Sequence, residues 1–149
     1  MLRSVSVPHD VASAVQVRRQ LAADLRECGL AEDSVRDAVL LGSELVGNAV
    51  RHARPLPDGT VRVSWQITGG RLRLTVTDGG TGTGTGAPHL VSADPTATAG
   101  RGLSIVDAIA SLWGVETTDG STQVWVALPA RSGAAAGSPR ALARLAAPT

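Results

Sequence analysis

The chain predicts an α+β two-layer sandwich, with helices packed on one face of a mixed, mostly antiparallel sheet. Three observations carry that reading. Two helical runs come early, the hydrophobic period then shifts from helical to two, and most two-period runs pair as hairpins. With 149 residues, 43% hydrophobic and 18% charged, the chain suits one soluble domain with a real core.

Leu2 to Val7 alternates weakly and reads as a strand stopped by Pro8. Asp10 stands where it can cap a helix, and Val11, Ala14, Val15, Leu21, Ala22 and Leu25 recur at helical spacing until Gly29. A second helix is expected from Glu32 or Asp33 to just before Pro55. Its apolar stripe is Val35, Ala38, Val39, Leu45, Val46 and Ala49. Val61, Val63, Trp65 and Ile67 then alternate with polar residues, and after Gly69-Gly70 so do Leu72, Leu74 and Val76. The stretch from Gly79 to Gly100 breaks all periodicity and is too long for an ordinary connection, which marks it as functional or mobile. Leu103, Val106, Ile109 and Ala110 suggest a third helix ended by Gly114. Val115 to Thr118 and Gln123 to Leu128 suggest a last hairpin turning near Asp119-Gly120. Residues 1–128 thus read as the domain and residues 129–149, rich in Ala, Pro and Arg, as a disordered tail.

Composition excludes several chemistries. All fourteen basic residues are arginines, so no lysine is present to bind phosphate or form a Schiff base. A net charge of +1 without basic runs gives no argument for direct nucleic-acid binding. Cys28 is the single cysteine and reads as a small hydrophobe, not a disulfide or thiolate-metal residue. The first residues lack the pattern of a signal peptide, and no apolar run is long enough to span a bilayer. No membrane partner and a cytoplasmic location are therefore expected. His9 and His89 have loop-like surroundings and read as surface residues.

Three constellations remain. On the second helix, Glu44, Asn48 and His52 recur every four residues, roughly 100° from the centre of the apolar stripe. Arg36, Arg51 and Arg54 lie further round, toward solvent. The polar stripe is either a solvated face or the edge of a site. Asp78 continues the inward parity of Leu72, Leu74 and Val76. Either it is a buried carboxylate in need of a donor, such as the exocyclic amine of a purine, or it simply opens a turn. Gly79 to Gly82 and Gly100-Arg101-Gly102 are glycine clusters. The second opens a helix, where backbone N–H groups and the Arg101 guanidinium suit phosphate, while a plain flexible linker is the competing reading of Gly79 to Ala99. No GxxxxGK[ST] motif exists. Gly82-x-Gly84-x-x-Ala87 only imitates a dinucleotide fingerprint, because Pro88 follows where a helix should open.

Together, Glu44-x-x-x-Asn48-Ala49-x-x-His52, Asp78-x-Gly80-x-Gly82 and Gly100-Arg101-Gly102-Leu103 resemble the signature boxes of the GHKL ATPases, which have the Bergerat ATP-binding fold. More narrowly, roughly residues 5 to 128 resemble the single-domain anti-sigma regulatory factors of the serine/threonine protein kinase type, common in actinobacteria. The resemblance implies binding of ATP and Mg²⁺, with Asn48 as metal ligand and Glu44 as general base or orienting residue. It implies that Asp78 accepts from the adenine amino group, that Gly80 and Gly82 let the backbone pass the base, and that Gly79 to Ala99 is a lid. Gly100, Arg101, Gly102 and Leu103 would lie at the phosphates and His52 near base or ribose, or in a packing role. Partners implied are a sigma factor or an anti-sigma antagonist, with a homodimer as the assembly. Two residues depart from the pattern: Gly47 stands where Ser or Thr is usual, and Gln123 stands where relatives often carry a Thr near adenine. Two functions follow, phosphotransfer to an antagonist or ATP-gated sequestration of a regulator. A sensor histidine kinase catalytic domain fits poorly without an acceptor hairpin, and a degenerate domain that binds no nucleotide is the plainest alternative.

Overall fold

The computed structural model describes residues 1–80, 109–118 and 120–133. Their elements are β1 (Leu2–Pro8), α1 (Ser13–Glu27), α2 (Glu32–His52), β2 (Thr60–Thr68), β3 (Arg71–Asp78), β4 (Leu112–Thr118) and β5 (Ser121–Pro129). One sheet runs in the order β1-β2-β3-β5-β4, and every pairing among these strands is antiparallel. Both helices pack on the same side, α1 over β1 and α2 over β2, β3 and β5. The expected α+β layering is present. The glycine-rich stretch beyond Gly80 and the third helix before Ile109 lie outside the described residues; Ile109 is helical, but β4 begins at Leu112, so Gly114 lies inside a strand and does not end the helix.

Alternation builds the core. Val61, Val63 and Trp65 of β2, Leu72, Leu74 and Val76 of β3, and Val126 and Leu128 of β5 are all buried under the helices. Gly69 and Gly70 take φ of 57° and 75°, the double left-handed turn that suits a twisted two-residue hairpin. On α2 the expected stripe is found: Val35, Ala38, Leu45, Val46 and Ala49 are buried, joined by Leu41 and Gly42, with Val39 half-buried. Gly42 sets the spacing of the helices, since a Cβ there would lie 3.1 Å from Leu21 Cδ2.

The phase of α1 differs from expectation. Its buried residues are Ser13, Val17, Leu21, Asp24 and Leu25, whereas Val11 is 72% exposed and Val15 39%. The cause is local and tertiary together. Asp10 accepts the Ala12 N–H (2.9 Å), closing a turn ahead of the helix instead of capping it, and Ser13 Oγ donates to the Pro8 carbonyl (2.6 Å). That start turns Asp24 toward the sheet. There the indole N–H of Trp65 donates to Asp24 Oδ2, and Arg3 Nη2 lies 3.2 Å from Oδ1. A buried carboxylate is tolerated because both its oxygens have donors.

The paired structure also continues past the boundary expected at residue 128. Ala31 N–H donates to the Arg131 carbonyl (2.8 Å), Gly133 N–H to Gly29 (2.9 Å), and Arg131 N–H to Ser34 Oγ (3.0 Å). Residues to Gly133 therefore belong to the fold, because they fasten the α1–α2 connection. Replacing Asp24 by Ala strands the buried indole N–H and should lower the unfolding free energy by about 1–3 kcal/mol in urea titrations. Arg3→Ala, which removes the exposed partner, should cost under about 1 kcal/mol.

Candidate functional site

The site is built where α2 and β3 end side by side. After His52 the chain turns outward, and Arg54 forms two backbone hydrogen bonds with the residues that follow β3. Gly79 N–H donates to the Arg54 carbonyl (2.7 Å), and Arg54 N–H to the Gly80 carbonyl (2.8 Å). The approach is so close that a Cβ on Gly79 would sit 2.1 Å from the Pro55 carbonyl oxygen. Gly80 has φ of 81°, a conformation that L side chains rarely adopt. These two glycines deliver the chain from the strand end to the edge of the helix.

Asp78, the last residue of β3, is 5% exposed and points inward with Leu72, Leu74 and Val76. Among the described residues one hydrogen bond serves it, from Gly80 N–H to Oδ1 (2.8 Å). Burial raises its pKa above the usual carboxylate value, while the Gly80 N–H and the nearby His9 oppose that rise. Its cross-strand partner is Thr122, which is also buried. A carboxylate and a hydroxyl thus share one inward-facing position on neighbouring strands. The parity of Val124, Val126 and Leu128 held the signal for Thr122. Gln123 is exposed and pairs with Thr77, so Thr122, not Gln123, is the residue beside Asp78.

His9 is not a surface residue. It is half-buried, and its Nε2 lies 2.8 Å from the Ala53 carbonyl and 3.2 Å from that of Ala49. Both partners are acceptors, so Nε2 carries the proton and donates to the carbonyl end of α2. No local pattern announces this role, because His9 and Ala53 are brought together only by the pairing of β1 with β2.

On α2, Glu44 and Asn48 are half-buried at the border of the core, as their angular position requires, but His52 is exposed at the last turn. Arg51 is exposed, yet it folds back: Nη2 donates to Asn48 Oδ1 (3.2 Å), and Nη1 would lie 3.0 Å from a Cβ on Gly47. Gly47 therefore has a function here, leaving room for a guanidinium over the helix. Gly82, Gly100, Arg101, Gly102, Leu103 and His89 lie outside the described residues.

Mg²⁺ is a hard cation that favours oxygen ligands. No cluster of three His, Cys, Asp or Glu exists among the described residues. Asn48 offers a hard amide oxygen, one turn from the Glu44 carboxylate. In the unliganded chain that oxygen accepts from Arg51.

A buried strand-end carboxylate, one glycine in close approach, one at positive φ and a polar helix border make the α2–β3 junction the candidate site of an α+β domain. The chain belongs to the histidine kinase-like ATPase domain family, whose sequence model matches residues 7–128. Membership implies nucleotide binding. The crystal structure of the RsbU and RsbW domains of Rv1364c from Mycobacterium tuberculosis is similar, with a TM-score of 0.63 and 24% identity. The match covers 89% of this chain and 34% of that one, so this chain corresponds to about a third of the solved chain, and the likeness establishes the fold. No curated protein matches the sequence. No helix among the described residues is long and apolar enough to cross a membrane.

Gly79→Ala should lower stability by about 1–3 kcal/mol, measured by chemical denaturation, because the Pro55 carbonyl cannot be avoided without breaking the Arg54 pairing. Asp78→Asn keeps an acceptor for Gly80 N–H and removes a group whose folded pKa is raised. Such a group stabilises most below its unfolded pKa, and this contribution is lost as pH rises through the folded value. The unliganded Asp78→Asn variant should therefore match or exceed the parent in Tm at neutral pH and lose that margin in acid.

Proposed function

We propose that the chain is an ATP-binding anti-sigma regulatory factor that transfers the γ-phosphoryl group to a Ser or Thr of an antagonist protein. The observation that carries this reading is Asp78. A carboxylate is buried at a strand end with one backbone donor from the described residues, and an adenine amino group supplies a matching second donor. The hydroxyl of Thr122 adds a polar group next to it, suited to a bridging water. Family membership and the RsbW-containing neighbour support the reading.

In this reading Asn48 holds Mg²⁺ through its amide oxygen, and the ion's chemistry is neutralisation of charge on the triphosphate. Glu44, one turn earlier, accepts the proton of the attacking hydroxyl. The hydroxyl oxygen bonds to γ-phosphorus, the bond to the β-bridging oxygen breaks, and ADP departs. Such a transfer needs positioning and charge neutralisation more than covalent help. Gly80 and Gly82 give the nucleotide close access to backbone, and Gly100, Arg101, Gly102 and Leu103 complete the phosphate side. His52, exposed on the last turn of α2, is assigned to the base or ribose rim. The acting form is a cytoplasmic homodimer.

A second reading is ATP-gated sequestration of a sigma factor or other regulator without phosphotransfer. What favours it is the glycine- and threonine-rich composition of residues 79–99, which offers few phosphate-binding side chains. Single-turnover transfer of labelled γ-phosphate to a cognate antagonist separates the two. The kinase reading expects labelled antagonist, with Glu44→Ala abolishing transfer but retaining ATP. Asn48→Ala is expected to lose both transfer and Mg²⁺-dependent ATP binding by calorimetry. Unchanged transfer by both variants would sink these assignments.

A further inference from the structure

The face of the sheet opposite the helices carries a composed surface that the nucleotide site does not use. Antiparallel register places Arg62 of β2, Arg71 and Arg73 of β3, Trp125 of β5 and Leu112 of β4 on this outer side. The three arginines are exposed, and Leu112 is 53% exposed. Glu116 is the one acidic residue that the described strands place there.

The centre of this face is prearranged. Trp125 lies opposite Gly114 on the neighbouring strand, and a Cβ at Gly114 would meet the indole at 2.8 Å. Only a glycine lets the ring lie down against the sheet. From the other side the Arg73 guanidinium covers the ring, 4.5 Å from its centroid. Beside them opens a depression of about 290 Å³, lined by Arg71, Arg73, Leu112 and Trp125 with Gln66 and Thr68 at its margin. No acidic side chain lines it. An aromatic ring packed on Gly114, beside an exposed leucine and two arginines, has the composition of a protein-binding hot spot.

We propose that this outer face docks an acidic segment of a partner protein, with a large apolar side chain against Trp125 and Leu112 and carboxylates at Arg62, Arg71 and Arg73. Charge complementarity selects this occupant. A second copy stacked face to face would set three arginines against three arginines, with Glu116 alone to offset them. A nucleic acid would find one ring, no lysine and a chain of net charge +1. The proposal rests on the reading that the chain works through a protein partner, but it requires nothing of the nucleotide chemistry.

The test uses the full chain and three fluorescein-labelled probes: a Glu/Asp-rich peptide bearing two leucines, its Lys-substituted counterpart, and a single-stranded oligonucleotide. The acidic peptide should bind saturably, weaken with salt, and shift the Trp125 indole N–H resonance while leaving that of the buried Trp65 in place. The double variant Arg71→Glu/Arg73→Glu should weaken binding by about tenfold or more. Leu112→Asp, at an exposed position, should weaken it without changing Tm. Both variants should bind ATP like the parent, so loss of nucleotide binding in the parent would strike the ATP reading and not this one. The proposal is overturned by absent binding of the acidic peptide, equal or better binding of either other probe, or unaltered binding by both variants. It is also overturned if sedimentation shows a dimer that Leu112→Asp dissociates.

Discussion

The backbone crossing of Arg54–Pro55 over Gly79–Gly80 is the contact on which the site depends. Two hydrogen bonds and a missing Cβ tie the end of the longest helix to the end of the central strand β3. Everything near the site is measured from that tie. It places the end of β3, with Asp78, beside the segment that follows α2, and it fixes where the chain leaves the sheet. His9 reinforces the same point from a third element, donating to the carbonyl of the C-cap residue Ala53, with that of Ala49 nearby. Three distant stretches of sequence thus converge within one turn of helix.

The two buried carboxylates among the described residues, Asp24 and Asp78, differ in how fully they are paired. Asp24 receives a buried indole N–H and an arginine, so its charge is matched on both oxygens and it fastens α1 to β1 and β2. Asp78 has one backbone donor among the described residues, and burial pushes its pKa up. The first carboxylate is complete as folded. The second carries a cost that a ligand donor can remove, which is the physical reason to place recognition there and not at Asp24.

Strand alternation made most of the sheet legible. Val61, Val63 and Trp65, then Leu72, Leu74 and Val76, announced both the inner face and the inward parity of Asp78, because one buried face specifies register strongly. The stripe of α2 was equally readable, and with it the border position of Glu44 and Asn48. The misreadings have tertiary causes. Val11 and Val15 fit a helical period but are exposed, since the turn at Asp10–Ser13 rotates α1 until Asp24 meets Trp65. His9 lies in a loop by sequence and becomes a helix cap only once β1 pairs with β2. Arg51 points to solvent by angle and yet returns over Gly47, which no hydrophobic pattern encodes. Thr122 was within reach of the same parity argument that identified Asp78, but a hairpin start is where strand boundaries are least certain.

Helix α2 joins the core to the chemistry. Leu41, Leu45, Val46 and Ala49 are sealed against the sheet, so Glu44 and Asn48 inherit their positions from the packing of their neighbours. Polar side chains on a helix whose neighbours are sealed in the core are well placed for precise positioning of a ligand. The remaining freedom on that helix lies in Arg51, whose guanidinium occupies the amide oxygen of Asn48 from an exposed position. An exposed hydrogen bond of this kind is worth little net free energy, so the Asn48 oxygen is released at small cost. Backbone and buried side chains thus fix the α2–β3 junction, while the exposed end of α2 keeps its freedom.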